Sequence, residues 1–236
     1  TQRVFNDFNL KPVMRLSTRP DQYLGQREQW DHAEAQLKGA LEAVDAQYTI
    51  NEGDGAFYGP KIDFDVTDAI GRKWQCTTIQ LDYQLPARFG LKYIGSDNAE
   101  HVPVVIHRAI FGSFERFIAL LIEHHAGAFP LWLAPIQTIV LPIADRHVSY
   151  ANSIRTTLEA AGLRVELDKR QEKIGYKIRE HSNAKIPILF IIGNNEMKEK
   201  SVSIRRLGSE KTETLDLEKS LKTLLKETQY PKTTKL

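Results

Sequence analysis

The chain has 236 residues, 42% of them hydrophobic and 26% charged, enough for one or two packed domains and ordinary for a globular protein. Its longest apolar runs, such as IPILFIIG at 186–193, are strand-sized, no secretory signal pattern is visible at its start, and its single cysteine, Cys76, rules out an internal disulfide, so neither a membrane-spanning helix nor a disulfide-stapled fold is expected, and a cytoplasmic location is. Residues 1–132 carry 13 Lys and Arg against 17 Asp and Glu, whereas residues 133–236 carry 19 against 13; the basic second half points either to a polyanion partner or to a solvated basic surface.

In chain order, residues 26–45 place Trp30, Ala33, Leu37, Leu41 and Val44 at helical spacing. Gly53, Gly55 and Gly59 with Pro60 then mark a loop. After it, Ile62, Phe64 and Val66 alternate with Lys61, Asp63 and Asp65, which predicts a strand. WQCTTIQLDY at 74–83 reads as its hairpin partner, and strict alternation puts Trp74, Cys76, Thr78, Gln80 and Asp82 on one face, with Gln75 on the other. VPVVI at 102–106 predicts a further strand that ends at His107. In the helix expected after it, Phe111, Phe114, Ile118, Leu121 and Ile122 form an apolar stripe, with Gly112, Ser113 and Arg116 on the opposite side.

HHAGAFPLWLAP at 124–135 is the expected seam. Beyond it strands (136–143, 163–168, 186–193, 200–206) alternate with helices (147–162, 172–184, 216–228), the rhythm of an α/β domain with a largely parallel sheet. The tail YPKTTKL is expected to fray.

Several of these residues suit chemistry. Lys61 stands at the mouth of a strand after a glycine loop, where it could set a point charge on a phosphate, although the loop lacks the Walker A pattern. The Cys, Thr and Gln face of 74–83 suits either the floor of a polar pocket or a sheet face under a polar helix. His107 has no second His or Cys at ligand spacing nearby and by itself fits a structural histidine as well as a ligand. Arg116 above Gly112 and Ser113 suits a planar or phosphate ligand, or a surface ion pair.

The blocks GAFYGPKIDF (55–64), WQCTTIQLDY (74–83), VPVVIHRAIFGSFERF (102–117), FPLWLAP (129–135) and KIGYKIREH (173–181), in this order, resemble the threonyl-tRNA synthetases, which are class II aminoacyl-tRNA synthetases. FGSFERF resembles their third signature motif. The resemblance implies part of an antiparallel catalytic sheet with helices in residues 1–132, then an α/β anticodon-binding domain with a mixed, largely parallel sheet in residues 133–236. It implies a threonine–tRNA ligase: threonine and ATP, with Mg2+, form threonyl-adenylate, and the threonyl group passes to tRNA-Thr. By matched motifs, Tyr58 and Gln80 contact threonine with Ser113 lining the pocket. Lys61 holds the α-phosphate, and Gln75, Thr78 and Arg116 contact ATP. His107 matches one of three zinc ligands, the other two falling before Thr1. Gln171, Arg179, Glu196 and Arg205 match anticodon-reading positions, with Arg206 an alternative to Arg205. Thr77 stands where many relatives have glycine.

The resemblance further implies a fragment without the first two class II motifs, inactive alone, from a homodimeric cytoplasmic parent. The alternatives are a non-catalytic RNA-binding paralogue and another class II enzyme with a similar anticodon domain, such as a prolyl or glycyl synthetase. Intact Lys61, Gln80, His107 and Arg116 speak against the first, and zinc at His107 in the parent would separate the second.

Overall fold

A computed structural model describes residues 1–231, so most of the tail expected to fray lies outside them. The described chain forms two units that divide between Glu123 and His124. The first unit contains α1 (Gln2–Asp7), β1 (Val13–Ser17), α2 (Arg27–Ala43), β2 (Tyr48–Asn51), β3 (Lys61–Thr67), β4 (Lys73–Asp82), α3 (Gln84–Arg88), β5 (Tyr93–Ile94), β6 (Glu100–His101), β7 (Val105–Ala109) and α4 (Phe114–His124). Its main sheet has the order β2-β1-β3-β4-β7. The pairing of β1 with β2 is parallel and the other three are antiparallel.

The helical spacing at 26–45 produces α2, which buries Trp30, Ala33, Leu37 and Leu41. Val44 lies past the helix end and is exposed. Leu37 and Leu41 pack with Leu16, Ile62 and Phe64 on one face of the sheet. Each such side chain taken out of water contributes about 1.5–3 kcal/mol. The opposite face of β3 carries Lys61, Asp63 and Asp65, and these are buried too.

The hairpin of β3 and β4 forms as expected, but with a register shift: Phe64 pairs with Thr77 and Asp65 with Gln75, leaving Cys76 as an extra residue. This β-bulge re-phases the strand. Gln75 therefore shares its face with Thr78, Gln80 and Asp82, while Trp74 joins the face of Val66. Strict alternation had put Gln75 and Trp74 on the wrong sides. Burial pushes the Cys76 thiol up to about 11, against a smaller opposing pull from Arg116, so it remains a neutral thiol.

Two further expectations are corrected. His107 does not end its strand but sits at the middle of β7, paired with Gln80. The helix then starts at Phe114, and its buried positions are Phe117, Leu120 and Leu121, with Phe114, Ile118 and Ile122 exposed. Gly112 at φ +70 breaks the chain direction just before the helix, so the helical phase is set after the turn and not by Phe111. Phe117 lies in an aromatic cluster with Phe5, Phe8 and Phe111, with ring centroids 6.1, 5.2 and 4.5 Å away.

The second unit contains β8 (Thr138–Pro142), a 3-10 turn (Asp145–His147), α5 (Val148–Ala160), β9 (Val165–Leu167), α6 (Ile174–Asn183), β10 (Ile188–Ile192), α7 (Asn194–Glu199), β11 (Ser201–Arg206), β12 (Thr212–Asp216) and α8 (Leu217–Glu227). The sheet order is β12-β11-β10-β8-β9. It is mixed: β10–β8 and β8–β9 are parallel, β10–β11 and β11–β12 antiparallel. Val140, Ile188, Phe190, Ile192, Val202 and Ile204 pack under α5 and α8. Ile139, Leu141 and Leu189 face α6.

The loop from β9 into α6 is pinned by Asp168. Its carboxylate accepts from Arg170 at 2.7 and 3.0 Å and faces His181 Nε2 at 2.9 Å. The buried Lys177 ammonium donates to the Asp168 carbonyl at 3.1 Å. Burial alone would raise the Asp168 pKa, but the Arg170 and His181 hydrogen bonds outweigh it and hold the carboxyl well below the usual range. A depressed carboxyl pKa contributes stability above the unfolded-state value of about 4 and loses it as pH falls below that. We expect Asp168→Asn to cost about 2 kcal/mol at pH 7 and progressively less on acidification. Urea unfolding at pH 7 and pH 3 measures both differences, and an equal cost at the two would contradict this account.

Candidate functional site

The polar face of the first sheet is organised by strand register. Ser17 pairs with Lys61, Lys61 with Gln80, and Gln80 with His107, so four side chains on four strands form one row. At the usual spacing between strands, about 4.8 Å, the row spans about 14 Å and separates Lys61 from His107 by about 10 Å. A second row places Arg15, Asp63, Thr78 and Ala109 side by side.

The loop before β3 brings Tyr58 over this face. Its hydroxyl donates to Gln80 Oε1 at 2.9 Å, and its ring meets His107 edge-on at 5.6 Å between centroids. Gly59 makes this approach possible, since a Cβ there would lie 1.7 Å from the Leu81 carbonyl oxygen. His107 Nε2 lies 2.8 Å from Oδ2 of the fully buried Asp82. The other oxygen of Asp82 accepts the backbone N–H groups of Gln84 and Leu85, at 2.9 and 3.0 Å. With Nε2–H donating to the carboxylate, Nδ1 is the ring nitrogen left as acceptor or ligand.

Asp63 is the centre of the other cluster and is 0% exposed. One oxygen accepts from Lys61 Nζ and Ser17 Oγ, both at 2.8 Å. The other accepts from Gln75 Nε2 at 2.6 Å and from the Thr78 hydroxyl. Gln75 Nε2 also donates to Thr78 Oγ1 at 3.0 Å. Lys61 has a looser second partner, the half-exposed Asp54, at 3.3 Å.

The structure thus brings together Tyr58, Gln80 and His107, and separately Lys61, Gln75 and Thr78. Among the described residues no contact joins Ser113 or Arg116 to either group. Ser113 Oγ accepts the Arg116 backbone N–H at 3.3 Å at the start of α4. The Arg116 guanidinium lies over Trp74, 5.5 Å from the ring centroid, and Arg72 lies 5.2 Å from that same ring. Thr77 donates its hydroxyl to the Ile110 carbonyl. Ser17, Asp63 and Asp82 were not singled out as site residues from the sequence. The alternation of Lys61 with Asp63 and Asp65 was the available signal.

In the second unit, Glu196 and Arg205 lie toward one side of the sheet. Glu196 accepts the Gly193 N–H at 2.8 Å and the Ser203 hydroxyl at 2.6 Å. Burial raises its pKa, but these hydrogen bonds hold it below its ordinary value. Arg205 follows Ser203 by two residues on β11 and so shares its face. That face also carries Leu189, which packs on the α6 side, and Arg179 is an exposed residue of α6. Gln171 Nε2 donates to Asp145 Oδ2 at 2.8 Å. Arg206 makes a two-pronged pair with Glu227, both contacts 2.8 Å, whereas Arg205 has no ion-pair partner among the described residues.

Comparison with known proteins places both units in described families. The family model of the tRNA synthetase class II core domain (G, H, P, S and T) matches residues 1–125, and that of the anticodon binding domain matches residues 137–227. The chain is 55% identical over 205 residues to the threonine--tRNA ligase of Symbiobacterium thermophilum, covering 87% of this chain and 32% of that one. It is 52% identical over 227 residues to that of Paracoccus denitrificans, covering 96% and 34%. The chain therefore spans about a third of the length of these curated relatives. The crystal structure of the RNA binding domain of threonyl-tRNA synthetase from Cryptosporidium parvum superposes with a TM-score of 0.90 at 39% identity, over 98% of this chain and 58% of that one. A prolyl-tRNA synthetase from the same organism has a TM-score of 0.65 at 17% identity, over 96% and 43%, a likeness of fold alone. With a class II core domain over its first half and an anticodon binding domain over its second, the chain belongs to the class II tRNA synthetases.

Proposed function

We propose that this chain is part of a threonine–tRNA ligase and carries about half of its adenylation site together with its anticodon-reading domain, divided functionally at residues 132 and 133. The row Ser17–Lys61–Gln80–His107 with Tyr58 above it carries this reading, in a chain more than half identical to threonine--tRNA ligases. A threonine carboxylate oxygen attacks the α-phosphorus of ATP, forming a P–O bond as the bond to pyrophosphate breaks. A hydroxyl of the terminal adenosine of tRNA-Thr then attacks the threonyl carbonyl and AMP leaves. Lys61 meets the negative charge that develops at the α-phosphate. Gln75 and Thr78 bind ATP, supplied with Mg2+, and Arg116 reaches its triphosphate. Arg116 has no carboxylate partner among the described residues, which leaves its charge available for that. Tyr58 and Gln80 hold threonine at the far end of the row, and Ser113 lines the pocket.

Among the described residues no group of three His, Cys, Asp or Glu is placed to hold a metal. His107 can supply one imidazole, with Asp82 fixing its ring. Zinc is proposed only for the intact ligase, with its other ligands from outside these residues. That ligase is proposed to be a cytoplasmic homodimer. No described helix is long and apolar enough to cross a membrane.

The amide of Gln171 and the guanidinium groups of Arg179 and Arg205 suit the edges of splayed, single-stranded bases. The Arg206 pair with Glu227 leaves Arg205 as the better reader of the two. Glu196 is proposed to present its remaining lone pairs.

In the full-length ligase, Lys61→Ala should lower threonine-dependent ATP–pyrophosphate exchange about 100-fold or more, with no exchange on valine in the parent. Exchange at the parental rate in the variant would remove Lys61 from the chemistry. The 236-residue chain alone should give none above a no-enzyme control, and activity there would show that it holds a complete site. His107→Ala should abolish zinc in the full-length ligase with its melting temperature kept, and unchanged zinc by elemental analysis would exclude His107 as a ligand. Arg205→Ala should weaken tRNA-Thr binding roughly tenfold while Arg206→Ala leaves it nearly unchanged. Filter binding of the two variants side by side decides the assignment.

A further inference from the structure

Asp63 is the buried charge around which the ATP half of the candidate site is assembled. Its carboxylate is wholly removed from water and receives donors from three strands: Ser17 on β1, Lys61 on β3, and Gln75 and Thr78 on β4. A carboxylate in such a place is tolerated only when its lone pairs are filled. It is also a pure acceptor, so every neighbour must turn a donor inward. That fixes the direction of each group as well as its position. The Gln75 amide points its nitrogen at Asp63 and Thr78, which leaves Oε1 facing away. Lys61 spends one N–H on Asp63 and keeps the others for Asp54 or a ligand. Asp54 is different in kind: it is half exposed, on the glycine loop, and 3.3 Å from Lys61 and 3.4 Å from Ser17. Such an outer partner can be exchanged for a phosphate, whereas Asp63 stays.

We propose that Asp63 is a positioning residue, holding Lys61, Gln75 and Thr78 as one unit in the arrangement that receives the triphosphate of ATP. This rests on the ligase reading above. Asp63 touches no substrate in this account and acts through the residues it orients. Asn at this position has the same shape but turns an NH2 group toward one pair of donors, which reverses the pattern on that side.

The test has two arms. In the full-length ligase, Asp63→Asn should lower kcat of threonine-dependent ATP–pyrophosphate exchange about 100-fold, the scale of a misplaced catalytic group, with the threonine KM unchanged. Combined with Lys61→Ala it should lose nothing beyond the lysine variant alone. Asp54→Asn, which removes only the outer partner, should stay within about fivefold of the parent. A parental kcat in Asp63→Asn, or single losses that multiply in the double variant, would overturn the proposal. Should Asp63→Asn not fold, Ser17→Ala removes one of the four donors with little change in volume. It should lower kcat roughly threefold to tenfold with the threonine KM unchanged, and no change in kcat would equally overturn it. The second arm uses the 236-residue chain. Mass spectrometry after trinitrobenzenesulfonate treatment should find Lys61 labelled several-fold faster in Asp63→Asn or Ser17→Ala than in the parent, and equal labelling would show that Asp63 does not hold the lysine. Absence of exchange in the unmodified ligase would count against the ligase reading, and the labelling would still decide the role of Asp63.

Discussion

The first unit depends on a strand that is buried on both faces. On β3, Ile62, Phe64 and Val66 enter the apolar core, while Lys61, Asp63 and Asp65 are enclosed on the other side. Apolar burial is non-directional, but enclosed charge is not. Each carboxylate must find donors at hydrogen-bond distance, as Asp63 does with its four neighbours and Asp65 does with the Arg15 guanidinium at 3.1 Å. Register is therefore specified twice. A slip of one residue would turn Lys61 and both carboxylates toward the core and the three apolar side chains toward the charges. The row that ends at His107 is a product of that double constraint.

The second unit uses its sheet differently. One face is sealed by α5 and α8, and the other is covered by α6 near β8. Its candidate binding groups come from β11, α6, α7 and the loop before α6, with Glu196 clamped at the start of α7 and Arg205 left without an ion-pair partner among the described residues. The contrast fits the two proposed tasks. Stabilising developing charge requires groups that are already in place and do not reorganise, whereas gripping unpaired bases suits side chains that reach and adjust.

Much of this was legible in the residues. The period of 3.6 gave α2, the alternation gave β3 and β4, and the motif blocks pointed to the family. What was hidden was either short or phase-dependent. The interior strand β1, VMRLS, is five residues long and carries Arg15 and Ser17, so its burial pattern is erased by the very side chains that serve the polar face. β12, TETLD, is similarly short and exposed. The phase of α4 could not be read through Gly112, because a left-handed residue resets the helix that follows. The partners of Lys61 and His107 come from strands that touch only in the folded sheet, so local spacing could not reveal that Asp63 and Asp82 hold them. Which of two adjacent arginines is committed to an ion pair depends on Glu227, 21 residues away.

The bulge at Cys76 also has a meaning for how this hairpin can change length. The turn between β3 and β4 faces solvent and carries no site residue, so insertions there would alter only a surface loop. Thr77 lies opposite Phe64 and Gln75 opposite Asp65, with only Cys76 between them unpaired. Removing that extra residue would restore regular pairing and leave Gln75 on the face of Asp63 and Trp74 on the face of Val66. Pairing Cys76 as an ordinary strand residue would instead turn Gln75 away from Asp63 and the Trp74 ring toward the charged row. The hairpin can therefore carry this residue as a bulge or lose it, but cannot pair it.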